Sequence, residues 1–282
     1  MNRDTQRTRA EAFRAMHDRS RILVLPNAWD AMSARVIEQA GARAIATTSA
    51  GVAFSLGYPD GEAVPRDEMI AAIARIARVT TVPVSADIES GFAHDIRDLA
   101  ETIRRVIDAG AVGINLEDQL HGATASLYDL DTAVQRVRTA REAADSAGVP
   151  LVINARTDVY LLGVGDPDSR FDHAVRRANA YRKAGADCLF IPALVRRADI
   201  ERIVPALDGP LNLLAFPGIP AIADLESLRV ARLSVGTRLT LAAMSSLQKT
   251  VSELLRTGAY DSILDGATTF AEANRLMASR RN

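Results

Sequence analysis

Short apolar runs alternate with stretches of helical period along most of this chain. The runs fall at residues 22–25, 44–47, 82–86, 112–116, 151–155, 188–191, 211–214 and 230–234. Most are continuous rather than alternating, which is the pattern of parallel strands covered on both faces. Between them a period near 3.6 predicts helices over 31–39, 66–79, 95–108, 132–146, 170–183, 197–207 and 221–228. Ala-Gly-Ala recurs at 40–42, 109–111 and 184–186, with a near copy at 147–149, each time after a helical stretch and before an apolar run. A glycine there supplies the left-handed cap that ends a helix and lets the chain enter a strand. Eight such alternations without a second core predict an α/β fold, a closed (β/α)8 TIM-type barrel. A doubly wound open sheet is the alternative, but it usually carries fewer strands. Helical period continues past the eighth strand over 239–257 and 270–279. The domain reading is therefore a barrel over 1–240 and a C-terminal helical extension over 241–282. The extension either packs on its own barrel or reaches a neighbouring subunit, so a homo-oligomer, dimer or tetramer, is an expectation.

Composition narrows the partners. A chain of 282 residues suits one barrel, and 48% hydrophobic with 24% charged residues is the balance of a globular protein with a sizeable core. A net charge of −1 provides no field toward nucleic acid or an anionic membrane, and 5% aromatics leave few stacking platforms. No nucleic acid and no membrane partner is expected. The single cysteine, Cys188, cannot form an internal disulfide and reads as a small buried hydrophobe within an apolar run. Residues 1–21 show no signal-like apolar stretch and no run reaches spanning length, so the expectation is a cytoplasmic protein.

The residues just past the runs carry the chemistry, because in such a barrel the C-terminal strand ends form the active face. The third run ends in Asp87 and Glu89, the fourth in Glu117 and Asp118, and the fifth in Arg156 and Asp158. The first leads to Asn27 and Asp30, the second to Thr48, Ser49 and a loop with Asp60; Asn212 lies within the seventh. Asp87 and Glu89, two apart on a strand, are expected to point to the same side, into the barrel mouth. Burying both without a cation or base would be costly. With Glu117 they form an oxygen-rich, histidine-free set suited to Mg2+ or Mn2+ rather than zinc. Asp30 reads as a helix N-cap, and Asp158 is the other weak candidate. His94 and His121 fall in loops on the active face, where proton transfer is an alternative, and read first as surface residues. Arg156 is either a carboxylate clamp or a structural ion pair. Thr48, Ser49 and neighbouring amides could hold a substrate carboxylate or an enolate oxygen.

At these residues the chain resembles the isocitrate lyase and phosphoenolpyruvate mutase superfamily. Pro26-Asn27-Ala28-Trp29-Asp30 is similar to its first strand and helix, and Thr48-Ser49-Ala50-Gly51 with Leu56-Gly57-Tyr58-Pro59-Asp60 to its second strand and gating loop. Asp87-Ile88-Glu89-Ser90-Gly91-Phe92 matches the D-x-D-x-G-[YF] metal segment with Glu in place of the second Asp; Glu117-Asp118 and Arg156-Thr157-Asp158 match the next two signatures. The resemblance implies Mg2+ held by Asp87, with Asp60, Glu89 and Glu117 acting mostly through water. It implies a small-molecule 2-oxo acid or its enolate, gripped by Thr48, Ser49 and Ala50 amides and by Arg156, with Asn212 as a further substrate contact. Catalytic roles then fall on Arg156, Asp60 and Glu117. It also implies tetramers that exchange a C-terminal helix. Where the lyase branch carries a K-[KR]-C-G-H lid, this chain reads Gln119-Leu120-His121-Gly122-Ala123-Thr124-Ala125-Ser126-Leu127, without the lid cysteine. The mutase branch's loop lysine is Gln119 here. The simplest resulting expectation is a Mg2+-dependent lyase, an oxaloacetate-type decarboxylase. The alternatives are phosphoenolpyruvate mutase or phosphonopyruvate hydrolase-like C–P chemistry, isocitrate or 2-methylisocitrate lyase-like C–C cleavage, and a non-catalytic oxo-acid-binding barrel.

Overall fold

A computed structural model describes residues 2–122 and 126–278. The centre of the loop expected to act as a lid, 123–125, and the expected end of the last helix at 279 lie outside the described residues. Among them nine parallel strands form one sheet: β1 (Leu23–Leu25), β2 (Asn27–Ala28), β3 (Ile45–Thr47), β4 (Val84–Asp87), β5 (Gly113–Glu117), β6 (Val152–Arg156), β7 (Cys188–Phe190), β8 (Leu211–Leu214) and β9 (Arg232–Ser234). Their spatial order is β1-β9-β8-β7-β6-β5-β4-β3-β2. The two ends of that order are separated in sequence only by Pro26, so the sheet closes on itself. Proline has no N–H for the ladder, which breaks the first strand in two. Its carbonyl still accepts from Ala46 N at 3.0 Å. The eight strands expected from sequence are all present, with β2 as the continuation of the first.

Strands β4, β5 and β6 run one residue further than their apolar runs, to Asp87, Glu117 and Arg156. These polar end residues are thus held by the ladder, with Asp87 opposite Asn115 and Glu117 opposite Arg156. A side chain on a paired strand is more rigidly placed than one on a loop. Among the described residues the helices expected from sequence are present, and three further ones appear. Arg3–Ala15 closes the N-terminal end of the barrel with a buried stripe of only Gln6, Ala10 and Phe13, too thin to show in its periodicity. Phe13 packs against Gly113, where a Cβ would come within 2.7 Å of its ring. Ser49–Leu56 is apolar nearly all round and is stopped by left-handed Gly57. Asp261–Leu264 is a single exposed turn.

Helix Arg238–Thr257 spans the point dividing barrel from extension and buries only Thr240. It exposes Leu241, Met244, Leu247, Val251 and Leu255. The last described helix, Phe270–Ala278, returns to helix Ala31–Gln39, where the Arg35 guanidinium donates to the Leu276 carbonyl at 3.0 Å. No described helix is long and apolar enough to cross a membrane.

Candidate active site

The barrel mouth holds a cavity of about 200 Å³ lined by Thr48, Ser49, Ala50, Asp60, Asp87 and Arg156, among others. Asp87 is fixed by three hydrogen bonds. Its Oδ2 accepts from Ser49 N and its Oδ1 from Asn115 Nδ2, both at 2.9 Å, while its own N donates to Thr47 Oγ1 at 2.8 Å. Asn115 Oδ1 in turn accepts from Asn154 Nδ2 at 2.9 Å.

Glu89 reaches the site differently from the expectation. Strand β4 ends at Asp87, and Glu89 sits beyond it with φ +49°, so a left-handed turn rather than the pleat aims its side chain. Such a backbone costs of order 1–3 kcal/mol for a non-glycine residue and persists where its surroundings hold it. Here Glu117 N donates to the Glu89 carbonyl at 2.9 Å, and the buried Arg136 guanidinium binds the Ser90 carbonyl and that of Ala93. Glu89 Oε2 accepts from Glu62 N at 2.7 Å, whereas the buried Oε1 has no partner among the described residues. Burial first, then the negative charges of Asp60, Glu117 and Asp87, raise its carboxyl to about 8. Asp60 stands at the exposed rim; partial burial and the charges of Asp87 and Glu117 raise its carboxyl above the ordinary range.

The set is not histidine-free, and His121 is not a surface residue. The loop after β5 folds back on itself, with Leu120 N donating to Ser126 O at 2.9 Å. This brings His121 Nε2 to 3.1 Å from Glu117 Oε1 and 3.5 Å from Glu89 Oε2. Burial alone would lower the imidazole, but Glu117, Glu62 and Glu89 outweigh it and raise it to about 9. One ligand atom each from Glu89, Glu117 and His121 lie within 4.8 Å of one another. Asp87 and Asp60 are electrostatic neighbours of that cluster rather than members of it. Glu62, unsuspected from sequence, supplies the second support: its carboxylate accepts from Ser90 Oγ at 2.7 Å and Phe92 N at 2.8 Å. A polar loop residue next to a glycine shows no periodicity, so nothing in the sequence marked it.

Arg156 is ion-paired on two sides. Its Nη1 lies 2.8 Å from Glu117 Oε2 and its Nε donates to Asp158 Oδ1 at 2.7 Å. Burial opposes its charge, but Asp158 and Glu117 hold the guanidinium more firmly protonated than usual. Asp158 is no helix cap: it is fully buried, and burial raises its carboxyl to about 7 against the pull of Arg156. Its N donates to Asp118 Oδ1 at 2.9 Å; Asp118 Oδ2 accepts from Arg177 Nε at 2.7 Å and Tyr181 OH at 2.6 Å. Asp30 forms the expected N-cap, in a capping box with Ser33. His94 is exposed, and Cys188 is buried, its thiol pushed by burial up to about 12.

On the far wall Thr48 caps helix Ser49–Leu56 and its hydroxyl lies 2.9 Å from that of Thr237. Gly51 lets helix Arg238–Thr257 approach: a Cβ there would lie 2.6 Å from Thr240 Oγ1. Asn27 Oδ1 accepts from Val235 N and Gly236 N at 3.0 and 2.9 Å, stapling the loop after β9 to β2. Asn212 is fully buried beneath this wall, its amide facing Ser234 Oγ at 3.1 and 3.2 Å. The mouth thus combines four carboxylates, two cationic side chains and a helix N-terminus. That arrangement can hold a divalent cation beside an anionic oxygen.

Comparison with known proteins agrees with this chemistry. Residues 13–255 match the family model described as phosphoenolpyruvate phosphomutase. The 2-methylisocitrate lyase of Escherichia coli (strain K12) is 30% identical over 92% of this chain and 88% of its own length. A crystal structure of a candidate lyase/mutase from Burkholderia cenocepacia J2315 is 38% identical, covers 98% of this chain and 97% of its own, and superposes with a TM-score of 0.89. Phosphonopyruvate hydrolase, solved with oxalate and Mg2+, is 25% identical over 97% of this chain and 96% of its own, with a TM-score of 0.85.

Proposed function

Because the chain belongs to the phosphoenolpyruvate phosphomutase family, within the PEP mutase/isocitrate lyase superfamily, we propose that it is a Mg2+-dependent lyase acting on a small 2-oxo acid through an enolate. Its simplest reaction is decarboxylation of an oxaloacetate-type acid. The observation that carries this reading is the buried Oε1 of Glu89, without a partner among the described residues, inside an acidic cluster. A carboxylate so placed is satisfied by a cation. Asp87, Glu89, Glu117 and Asp60 would hold Mg2+ (or Mn2+), with His121 beside them. The ion supplies Lewis-acid stabilisation to the oxyanion that develops when a 2-oxo acid loses CO2.

The chain's own residues do the rest. At the start of their helix the Thr48 and Ser49 amides are taken by the Ala28 carbonyl and Asp87, so the Thr48 and Ser49 hydroxyls and the Ala50 amide bind the substrate carboxylate, where the helix dipole favours it. Arg156, held in place by Asp158 and Glu117, offers its charge to the developing enolate. Asn212 acts through Ser234 rather than by touching the acid. Loss of CO2 needs no lid cysteine, in keeping with the loop from Gln119 to Gly122.

Similarity to phosphonopyruvate hydrolase supports a second reading, C–P cleavage, and similarity to 2-methylisocitrate lyase a third, C–C cleavage of a tricarboxylate. Assays with Mg2+ separate them: CO2 release from oxaloacetate above the metal-only background, phosphate from phosphonopyruvate, and pyruvate from 2-methylisocitrate. The lyase reading predicts the first, lost in Asp87→Ala. Oxalate binding without turnover on any of the three would instead leave an oxo-acid-binding barrel. The exposed apolar face of helix Arg238–Thr257 supports assembly as a homo-oligomer, a dimer or tetramer exchanging the 241–282 extension.

A further inference from the structure

Arg232 opens strand β9 and is buried to 2% exposure inside the barrel. Its Nε donates to Ser234 Oγ at 3.1 Å, and its buried Nη1 has no hydrogen-bond partner among the described residues. Among the described residues no ion pair includes it. The other buried arginines differ: Arg177 meets Asp118, and Arg136 meets two backbone carbonyls. A buried charge without a partner is costly, commonly by several kcal/mol.

Its surroundings give it no counter-charge. Asn27, Ser85, Asn115 and Ser234 line the cavity beside it. His17 is held to about 3 by burial and Cys188 pushed up to about 12, so both are neutral. Asp87 acts on it only across the cavity, because the Asp87 oxygens bind Ser49 N and Asn115 Nδ2. Burial lowers the guanidinium to about 10, which leaves it charged at neutral pH. Ser234 lies two residues toward the C-terminal end of the same strand, on the same face. A bond to it therefore directs the guanidinium up the barrel, into the cavity it shares with Thr48, Asp87 and Arg156.

We propose that Arg232 binds a carboxylate of the ligand from below, opposite the metal cluster, and so selects a diacid: one carboxylate held by the mouth, the second by Arg232. This rests on the 2-oxo-acid reading for the first carboxylate and adds the second. Arg156 shares its charge with Glu117 and Asp158, whereas Arg232 is in no ion pair among the described residues and keeps its charge for a ligand. A guanidinium fork matches a carboxylate with two parallel hydrogen bonds.

The test uses the intact protein in EDTA with malonate as the probe, read by calorimetry and thermal melting, so that it is independent of turnover. Wild type binds malonate; Arg232→Met weakens it about tenfold to a hundredfold, the loss expected for charge-assisted bonds. Without malonate Arg232→Met melts at or above wild type, because an unpaired buried charge has gone. Arg232→Lys keeps the charge without the fork and falls between. Unchanged malonate affinity in Arg232→Met overturns the proposal, as does a wild type that ignores malonate. So does an equal response to chloride, or a ligand-free Arg232→Met that melts well below wild type. Absence of CO2 release with Mg2+ would count against the decarboxylase alone and leave this result standing.

Discussion

Acidification destabilises this protein through one imidazole far from the cluster. His17 follows helix Arg3–Ala15, buried at the barrel floor with its ring edge-on to Phe13 at 4.9 Å. Its Nδ1 lies 2.9 Å from the Phe13 carbonyl oxygen, and its Nε2 has no partner among the described residues. Burial, then the positive charges of Arg232 and Arg14, lower it from 6.5 to about 3. Between those values the unfolded chain takes up a proton that the folded one refuses, so stability falls as pH drops below 6.5. At about 1.4 kcal/mol per unit, acidification to pH 5 removes roughly 2 kcal/mol. That is a large part of a total typically of order 5–15 kcal/mol. Urea unfolding of wild type and His17→Leu at pH 7, 6 and 5 isolates this contribution, since every other titrating group is shared. The wild-type midpoint should fall faster than the variant's, with unchanged m-values. Parallel decline of the two would refute the argument.

Other expectations follow from the contacts around the site. Asp118→Ala leaves Arg177 buried without its carboxylate and should cost about 3–5 kcal/mol, lowering the melting temperature by roughly 10 °C. It should also lower kcat/KM, because Asp118 holds Asp158 and Asp158 holds Arg156; full activity in a folded variant would break that chain. Gly51→Ala forces a methyl group against Thr240 and should destabilise by about 1–3 kcal/mol in the same urea assay. Leu247→Glu, on the exposed face of helix Arg238–Thr257, should shift light-scattering mass toward the monomer; an unchanged mass would remove that face from the assembly.

Much of this architecture was legible because a parallel barrel covers its strands on both sides, turning each into an apolar run. The strand ends were legible for the converse reason: Asp87, Glu117 and Arg156 interrupt apolar runs with groups that need partners. What escaped depends on chain reversal or on weak patterns. Helix Ser49–Leu56 has almost no polar side, so it shows no amphipathic period. His121 and Glu62 enter through loops whose folding back no local pattern reports. Arg232 was hidden within an apolar run, where one charge reads as a residue facing outward. For Glu89 the pleat argument does not hold: the strand ends at Asp87, and a left-handed turn aims its side chain.

The amides beside Asp87, on the next two strands, stand in single file and point the same way. Asn154 donates to Asn115, which donates to Asp87. Because the Asn115 side-chain carbonyl is occupied by Asn154, the Asn115 amide cannot flip without breaking the bonds on both sides of it. The carboxylate is therefore oriented from strand β6, two strands away. A substitution at Asn154, which lines no part of the cavity, would be felt at the mouth as a change in where the Asp87 lone pairs point. Drift inside this barrel could retune its active face without altering a residue that any ligand touches.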